Sequence, residues 1–296
     1  MRHKSIRSLT DGDSGTVVYD LKPIWLMSPL SISDTLPLEE QRFDVVIFDE
    51  ASQIPLEEAV PAVYRAPQMI VVGDEMQLPP TTFFAASQTS HDDDDEDDPT
   101  NIAAHYDLQA ESFLTHAAQR LPSTLLGWHY RSRSEALIRF SNHAFYGGEL
   151  LTIPDRTMAQ QHPEIEVTSA DQGRANAALI TDRAVSFHHL TSSPYISRRN
   201  SGEADYIAQL VRGLLADEAH PTVGSVAFSE AQQGTIERSL ARLAESDRVF
   251  ERALEAEYER EDDGQLCGLF VKNLENVQGD ERDIIILSVC YGPNAQ

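Results

Sequence analysis

The chain has 296 residues, 48 acids against 23 Lys and Arg for a net charge of −25, and 41% hydrophobic residues. That composition fits a globular protein of one or two domains, and it excludes a fibre or a coat that holds nucleic acid by bulk positive charge. No apolar run nears the roughly 18–20 residues that span a bilayer, Met1–Lys4 is no leader, and Cys267 and Cys290 make no disulfide framework, so a cytoplasmic protein without a membrane is expected.

In chain order, Pro23–Met27 reads as a weak strand. Phe43–Phe48 and Met69–Val72 are continuous apolar runs that end in acids, the pattern of buried parallel strands with functional carboxyl ends. Pro55–Tyr64, between them, has helical apolar spacing with Pro55 at its start. A block at 91–98 then carries seven acids in eight positions, and an acidic loop over 88–100 is expected to be disordered and solvated. Beyond it, helices are expected over Glu111–Arg120, Ser132–Phe145, Glu203–Glu218 and Glu230–Glu245. Val223–Phe228 and Asp283–Val289 read as strands, the latter buried, and Phe250–Asp263 as a solvated helix or loop. Strands alternating with helices predict an α/β fold with a largely parallel sheet, split into two units, 1–120 and 121–296.

Four segments carry candidate chemistry. Asp49-Glu50-Ala51-Ser52 ends the first strong strand. A strand-end Asp can hold Mg²⁺ through its waters, and a Glu beside it can take a proton from an attacking water. Taken alone, the pair is more often a plain strand end. Gly73-Asp74-Glu75-Met76-Gln77-Leu78-Pro79-Pro80 ends the next strand. There Gly73 permits a tight exit and Gln77 offers a neutral donor and acceptor, although a simple turn would use the same residues. Trp128-His129-Tyr130-Arg131-Ser132-Arg133 presents, at Arg131, a guanidinium suited to a triphosphate, or a surface Arg at a helix start. Asn276-Val277-Gln278-Gly279-Asp280-Glu281-Arg282-Asp283 lets backbone approach a ligand at Gly279 beside the Glu281 carboxylate, or is a polar loop before a strand. His188 and His189 have no third ligand at sensible spacing and are assigned to structure.

These four segments, in this order, resemble superfamily 1 DNA/RNA helicases. They are most similar to the 5′-to-3′ branch, and within it to a bacterial group of large helicase-like proteins with an acidic insert. Met27–Ser33, Trp128–Asn142 and Val271–Val289 read like members of that group. The resemblance implies two RecA-like parallel-sheet domains, ATP and Mg²⁺ as cofactors, and single-stranded DNA or RNA as partner. It implies that Asp49 holds Mg²⁺, Glu50 activates the water and Gln77 senses the γ-phosphate. It further implies that Asp74 lies at the nucleotide, Arg131 acts as the arginine finger, and Gly279 and Glu281 touch nucleotide and strand. Ser28, Pro29 and Ser31 match, more loosely, a segment that contacts the nucleic-acid backbone.

The sequence departs from that family in two places. A phosphate-binding loop, G-x-x-x-x-G-K-[ST], is needed ahead of Asp49, and the chain contains no Gly-Lys pair. A final arginine motif after Glu281 is also missing. Both domains are therefore expected to be incomplete, with part of the sheet core exposed. The isolated chain is expected to hydrolyse ATP negligibly, as the product of a split or frameshifted gene, an error in the gene model, or one piece of a motor whose missing parts lie on another chain. A non-enzymatic remnant that binds nucleic acid or a partner is the competing reading, and an unrelated Mg²⁺-carboxylate phosphohydrolase is a third.

Overall fold

The computed structural model describes residues 5–38, 42–77, 80, 112–155 and 164–292. The acidic segment 88–100 lies outside the described residues, as do Leu78, Pro79 and Glu111. The chain divides into two compact units, Met1–Leu126 and Gly127–Gln296. Both are mixed α/β, and among the described residues every strand pair but one hairpin is parallel. Among the described residues no helix is long and apolar enough to cross a membrane.

The first unit runs α1 (Ile6–Leu9), α2 (Gly12–Leu21), α3 (Pro29–Thr35), β1 (Val45–Phe48), α4 (Leu56–Val63), β2 (Gln68–Val71) and α5 (Phe113–Ala118). β1 and β2 pair in parallel, with Val45 opposite Gln68 and Phe48 opposite Val71. α4 starts at Pro55 and carries Glu57 and Glu58 in its first turn, where the helix dipole favours acids. Ala59 and Ala62 of α4 close with Phe48, Phe113 and Leu114 into one core, the two phenylalanine rings 4.6 Å apart. Buried Arg65 ties α4 to the chain after α3, donating to the carbonyls of Pro61 (2.5 Å), Leu36 (3.0 Å) and Pro37 (3.2 Å).

Two expectations need correction here. Pro23–Met27 forms no strand: Pro23 offers no donor, and the Trp25 ring packs on Tyr19 with centroids 5.4 Å apart. β1 and β2 are parallel but are not buried on both faces. Alternate residues Phe48, Val46, Met69 and Val71 meet the core, while Ile47 is 65% exposed on the other face with Val45, Ile70 and Val72. Parallel strands are normally covered on both sides; here the four side chains of this side remain 39–65% exposed.

The second unit runs β3 (Trp128–His129), α6 (Glu135–Phe145), β4 (Leu151–Thr152), β5 (Ile165–Val167), α7 (Gln172–Thr181), β6 (His188–Leu190), α8 (Ser201–Leu215), β7 (Val223–Ala227), α9 (Glu230–Ser246), α10 (Arg248–Tyr258), β8 (Glu261–Asp262), β9 (Gln265–Leu266), β10 (Phe270–Asn273) and β11 (Ile284–Ser288). Its main sheet has the order β10-β7-β11, with fully buried β7 in the centre. α8 and α9 supply most of the core against it: Ile207, Leu210, Val211, Leu214, Ile236 and Leu240. α7 and α8 approach through reciprocal glycines. A Cβ on Gly173 would sit 2.7 Å from the Tyr206 carbonyl oxygen, and one on Gly213 would sit 2.6 Å from Ala177 Cβ.

Here too the sequence reading needs revision. Residues 250–258 are not a purely solvated segment, since α10 buries Phe250, Leu254 and Glu257. The chain then makes a tight hairpin, β8–β9, turning on Asp263 and Gly264 with φ of 48° and 77°. β11 is not wholly buried, because Ile284 and Ile286 face the core while Leu287 is 58% exposed beside exposed Ile285.

A buried polar network joins the carboxyl end of β11 to the starts of α8 and α9. Gln232 accepts from Asn200 N at 2.8 Å and donates to Asn200 O and Ser288 Oγ, both at 3.1 Å. Glu203 accepts from Ser288 Oγ at 2.7 Å and from Cys290 N at 3.1 Å. Burial holds the Glu203 carboxyl above its ordinary pKa, and burial beside Glu203 pushes the Cys290 thiol up to about 11.

Candidate functional site

In the first unit the parallel register brings two of the singled-out segments to one edge. Val72 N donates to Phe48 O at 2.8 Å, and Ala51 N donates to Val72 O at 3.0 Å. The pairing of β1 with β2 therefore continues past both strands and sets Asp49 and Glu50 beside Gly73 and Asp74. This is the carboxyl edge of a parallel pair, where open α/β sheets bind ligands.

The turn geometry is specific. Glu50 takes a left-handed conformation, φ 51° and ψ 40°. L-residues adopt it at a cost of about 1–2 kcal/mol, so it persists only where the surroundings enforce it. Its N–H donates to Asp49 Oδ1 at 3.0 Å, and both acids are exposed. Ala51–Gln53 then form a single 3₁₀ turn. Gly73 is needed for close approach rather than for its φ. A Cβ there would lie 3.0 Å from Leu114 Cδ2, 3.1 Å from Ala51 N and 3.2 Å from Ser52 N. The Asp74 side chain closes its own turn, accepting from Met76 N at 3.0 Å, and Gln77 N donates to Asp74 O at 3.2 Å. Ser52, 3% exposed, keeps its hydroxyl buried with no hydrogen-bond partner.

Ser28, Pro29 and Ser31 form the start of α3. The Ser28 hydroxyl caps the helix by accepting from Ser31 N at 3.2 Å, and Pro29 takes the first turn. The two serine hydroxyls bond each other at 2.8 Å.

In the second unit the structure brings together two more of the segments. Arg131 Nε lies 3.4 Å from Glu281 Oε2, the side chains 84% and 77% exposed. One rung along, Arg133 pairs with Asp283 Oδ1 at 2.8 Å. Gly279, with φ 86°, is left-handed with open space around it, so here glycine serves backbone conformation. Asp283 is firmly held: its Oδ2 accepts from Thr222 N at 3.0 Å and from Thr222 Oγ1 at 2.9 Å. Those Thr222 bonds, with Arg133 alongside, hold the Asp283 carboxyl below its ordinary pKa. Arg133 lies in a segment singled out from the sequence but was given no role there, and Thr222 was not singled out. The matched spacing of Arg131/Arg133 against Glu281/Asp283 was a usable signal for the first; Thr222 gave none.

The fit of this chain to Mg²⁺ follows from its donors. Among the described residues no three His, Cys, Asp or Glu side chains gather as ligands. Mg²⁺ on a nucleotide takes one or two carboxylates and fills its octahedron with water and phosphate oxygens. Exposed Asp49 beside Glu50 fits that composition.

Comparison with known proteins gives consistent matches. Residues 109–294 match a family model described as an AAA domain, and residues 26–84 match a second model of the same description. The chain is 34% identical over 273 residues to a protein of Mycoplasma genitalium described as an uncharacterized ATP-dependent helicase. It is 33% identical over 273 residues to the homolog of that protein in Mycoplasma pneumoniae. Each match covers 92% of this chain and 22% of the relative, so the chain spans about a fifth of the relatives' length.

Proposed function

The chain belongs to the superfamily 1 helicase family built on AAA domains, and from that premise we propose that it is part of an ATP-dependent motor that moves on single-stranded DNA or RNA in the cytoplasm. The observation that carries the reading is the shared carboxyl edge of β1 and β2, where one hydrogen bond, Ala51 N to Val72 O, sets the Asp49-Glu50 turn beside the Gly73-Asp74 turn. Residues 1–120 form part of the first motor domain and 121–296 part of the second.

In this mechanism Asp49 would hold Mg²⁺, which would supply positive charge against the phosphates of the nucleotide. Glu50 takes the proton of the attacking water, and its left-handed backbone fixes the direction in which that carboxylate is presented. Asp74 shapes the turn that carries Gln77 to the nucleotide. Gln77, donor and acceptor at once, joins the γ-phosphate end to the nucleic-acid response. Arg131 stabilises charge on the transferring phosphoryl group. Gly279 and Glu281 line the nucleotide and strand, and Ser28, Pro29 and Ser31 meet the strand backbone.

The triphosphate anchor is not among these 296 residues, which hold no Gly-Lys pair. We therefore assign hydrolysis to an assembly in which further polypeptide supplies a phosphate-binding loop. The test is ATP turnover by the whole protein with and without single strands. Strand-stimulated hydrolysis that falls at least 10²-fold in Glu50→Gln is expected. The 296-residue chain alone is expected to show almost none. Motor-like turnover by the chain alone would refute the need for a second piece. Strand binding by the whole protein with no nucleotide hydrolysis would replace the motor with a binding remnant.

A further inference from the structure

We propose that Asp283, clamped by Thr222, is a positioning residue that sets Arg131 for its work on the nucleotide by gripping Arg133 two residues along. This rests on the reading of Arg131 as the phosphate-facing arginine.

The argument begins with what holds the 128–135 segment. Arg131 is 84% side-chain exposed, on a turn after the two-residue strand β3. Such a side chain carries about 2 kcal/mol of rotamer entropy and would be poorly aimed if left alone. The turn is fixed internally by His129 Nε2 against Ser132 Oγ at 2.8 Å. On the α6 side, Asp155 accepts from Ser134 Oγ at 2.8 Å and from Glu135 N at 3.1 Å. The remaining degree of freedom is how the turn lies against the 279–283 loop. Two ion pairs set that, Arg131–Glu281 and Arg133–Asp283, at matched spacing.

The two rungs are not equivalent. Glu281 is 77% exposed, so its pairing with Arg131 is easily exchanged for a phosphate. Asp283 is 28% exposed, and Thr222 N, Thr222 Oγ1 and Arg133 fill its acceptor positions. Its own N–H closes the clamp by donating to Thr222 Oγ1 at 2.9 Å. Thr222 immediately precedes β7, and Asp283 immediately precedes β11. The clamp thus joins the starts of two neighbouring strands of the main sheet. The fixed rung anchors the arginine turn to rigid scaffold, and the free rung leaves Arg131 able to change partner. A site supported this way holds its geometry, whereas a displacement of about 1 Å costs up to about 10²-fold in rate.

The experiment uses the whole protein and the variants Arg133→Asp, Asp283→Arg and the two combined, with Arg131→Ala as reference. Each single reversal should lower kcat of strand-stimulated ATP hydrolysis about tenfold or more, with KM changed less than about threefold. The combined reversal should do better than Asp283→Arg but recover only the share carried by the ion pair, because an arginine at 283 cannot accept from Thr222 N and Oγ1. Melting temperature should stay near wild type in Arg133→Asp, whose side chain is exposed, and fall wherever Asp283 is replaced, since Thr222 N and Oγ1 then lose their acceptor; the kcat loss in Arg133→Asp is therefore the deciding readout. Single variants with wild-type kcat, or a combined variant no better than Asp283→Arg, would overturn the proposal. Arg131→Ala with full activity, or no hydrolysis by the wild type, would instead remove the reading it rests on.

Discussion

Three side chains show how local physics and chemistry pull apart in this protein. Ser52 buries a hydroxyl without a partner, and an unmade hydrogen bond of that kind costs about 1–3 kcal/mol. Ser52→Ala should therefore raise stability by about 1 kcal/mol in urea unfolding; a loss of stability would mean the hydroxyl is bonded. Glu50 pays for its left-handed backbone. Glu50→Gly should be neutral or more stable by up to about 1 kcal/mol while removing hydrolysis, a pairing of effects that an ordinary surface carboxylate would not give. His188 sits between Tyr206 OH at 2.5 Å and Ser186 Oγ at 2.9 Å. Burial, with Arg183 adding to it, lowers its pKa below 6.5. The unfolded chain then binds the proton more readily, so this contribution to stability is complete above about pH 6.5 and is lost as pH falls through the folded pKa. Comparing unfolding at pH 7.5 and 5.0 for wild type and His188→Gln should show the smaller acid loss in the variant.

Elements differ in how far their sequences betray them. The apolar runs within β1, β2 and β11 stand out at once, and β7, though interrupted by Ser225, reads as a strand between two helices. β3 and β4 have two residues each and β5 and β6 three, too few for any period to register. The hairpin at Asp263-Gly264 carries the strongest short turn signal there is, yet its flanks Glu261, Asp262 and Gln265 are polar and hide it. Which face of a strand is covered is not encoded in the run itself. Ile47 and Phe48 look alike in sequence, and only packing separates them. The same limit applies at the site: motif order points to Asp49, Glu50, Gln77 and Arg131, while the Asp283–Thr222 clamp depends on two strand starts lying side by side. The α7–α8 contact makes a sharp test of packing. Gly213→Leu would drive a side chain into Ala177 and the Arg174 backbone, and should cost about 3 kcal/mol or more in unfolding of this unit.

At the scale of the whole molecule, charge and exposed apolar surface oppose each other. A net charge of −25 keeps copies apart, while the bare face of β1–β2 and the outer face of β11 invite contact. The chain alone should self-associate in sedimentation, and more strongly as salt screens the charge. Ile47→Lys with Leu287→Lys should reduce that association with little change in melting, since both side chains already lie largely in solvent, 65% and 58% exposed. A variant that associates as before would place the contact elsewhere. The sheet order β10-β7-β11 also carries a consequence in time. The central strand is made first: β7 ends at Ala227, and its first neighbour begins at Phe270, 43 residues later. At a synthesis rate of about 5–20 residues per second, β7 waits about 2–9 s with both edges open, and longer still for β11. In that interval α8 and α9 can settle on one of its faces, but no backbone partner exists for its edges. During translation this strand is the segment a chaperone would reach first, and slowing the ribosome between Ala227 and Phe270 would lengthen its exposure.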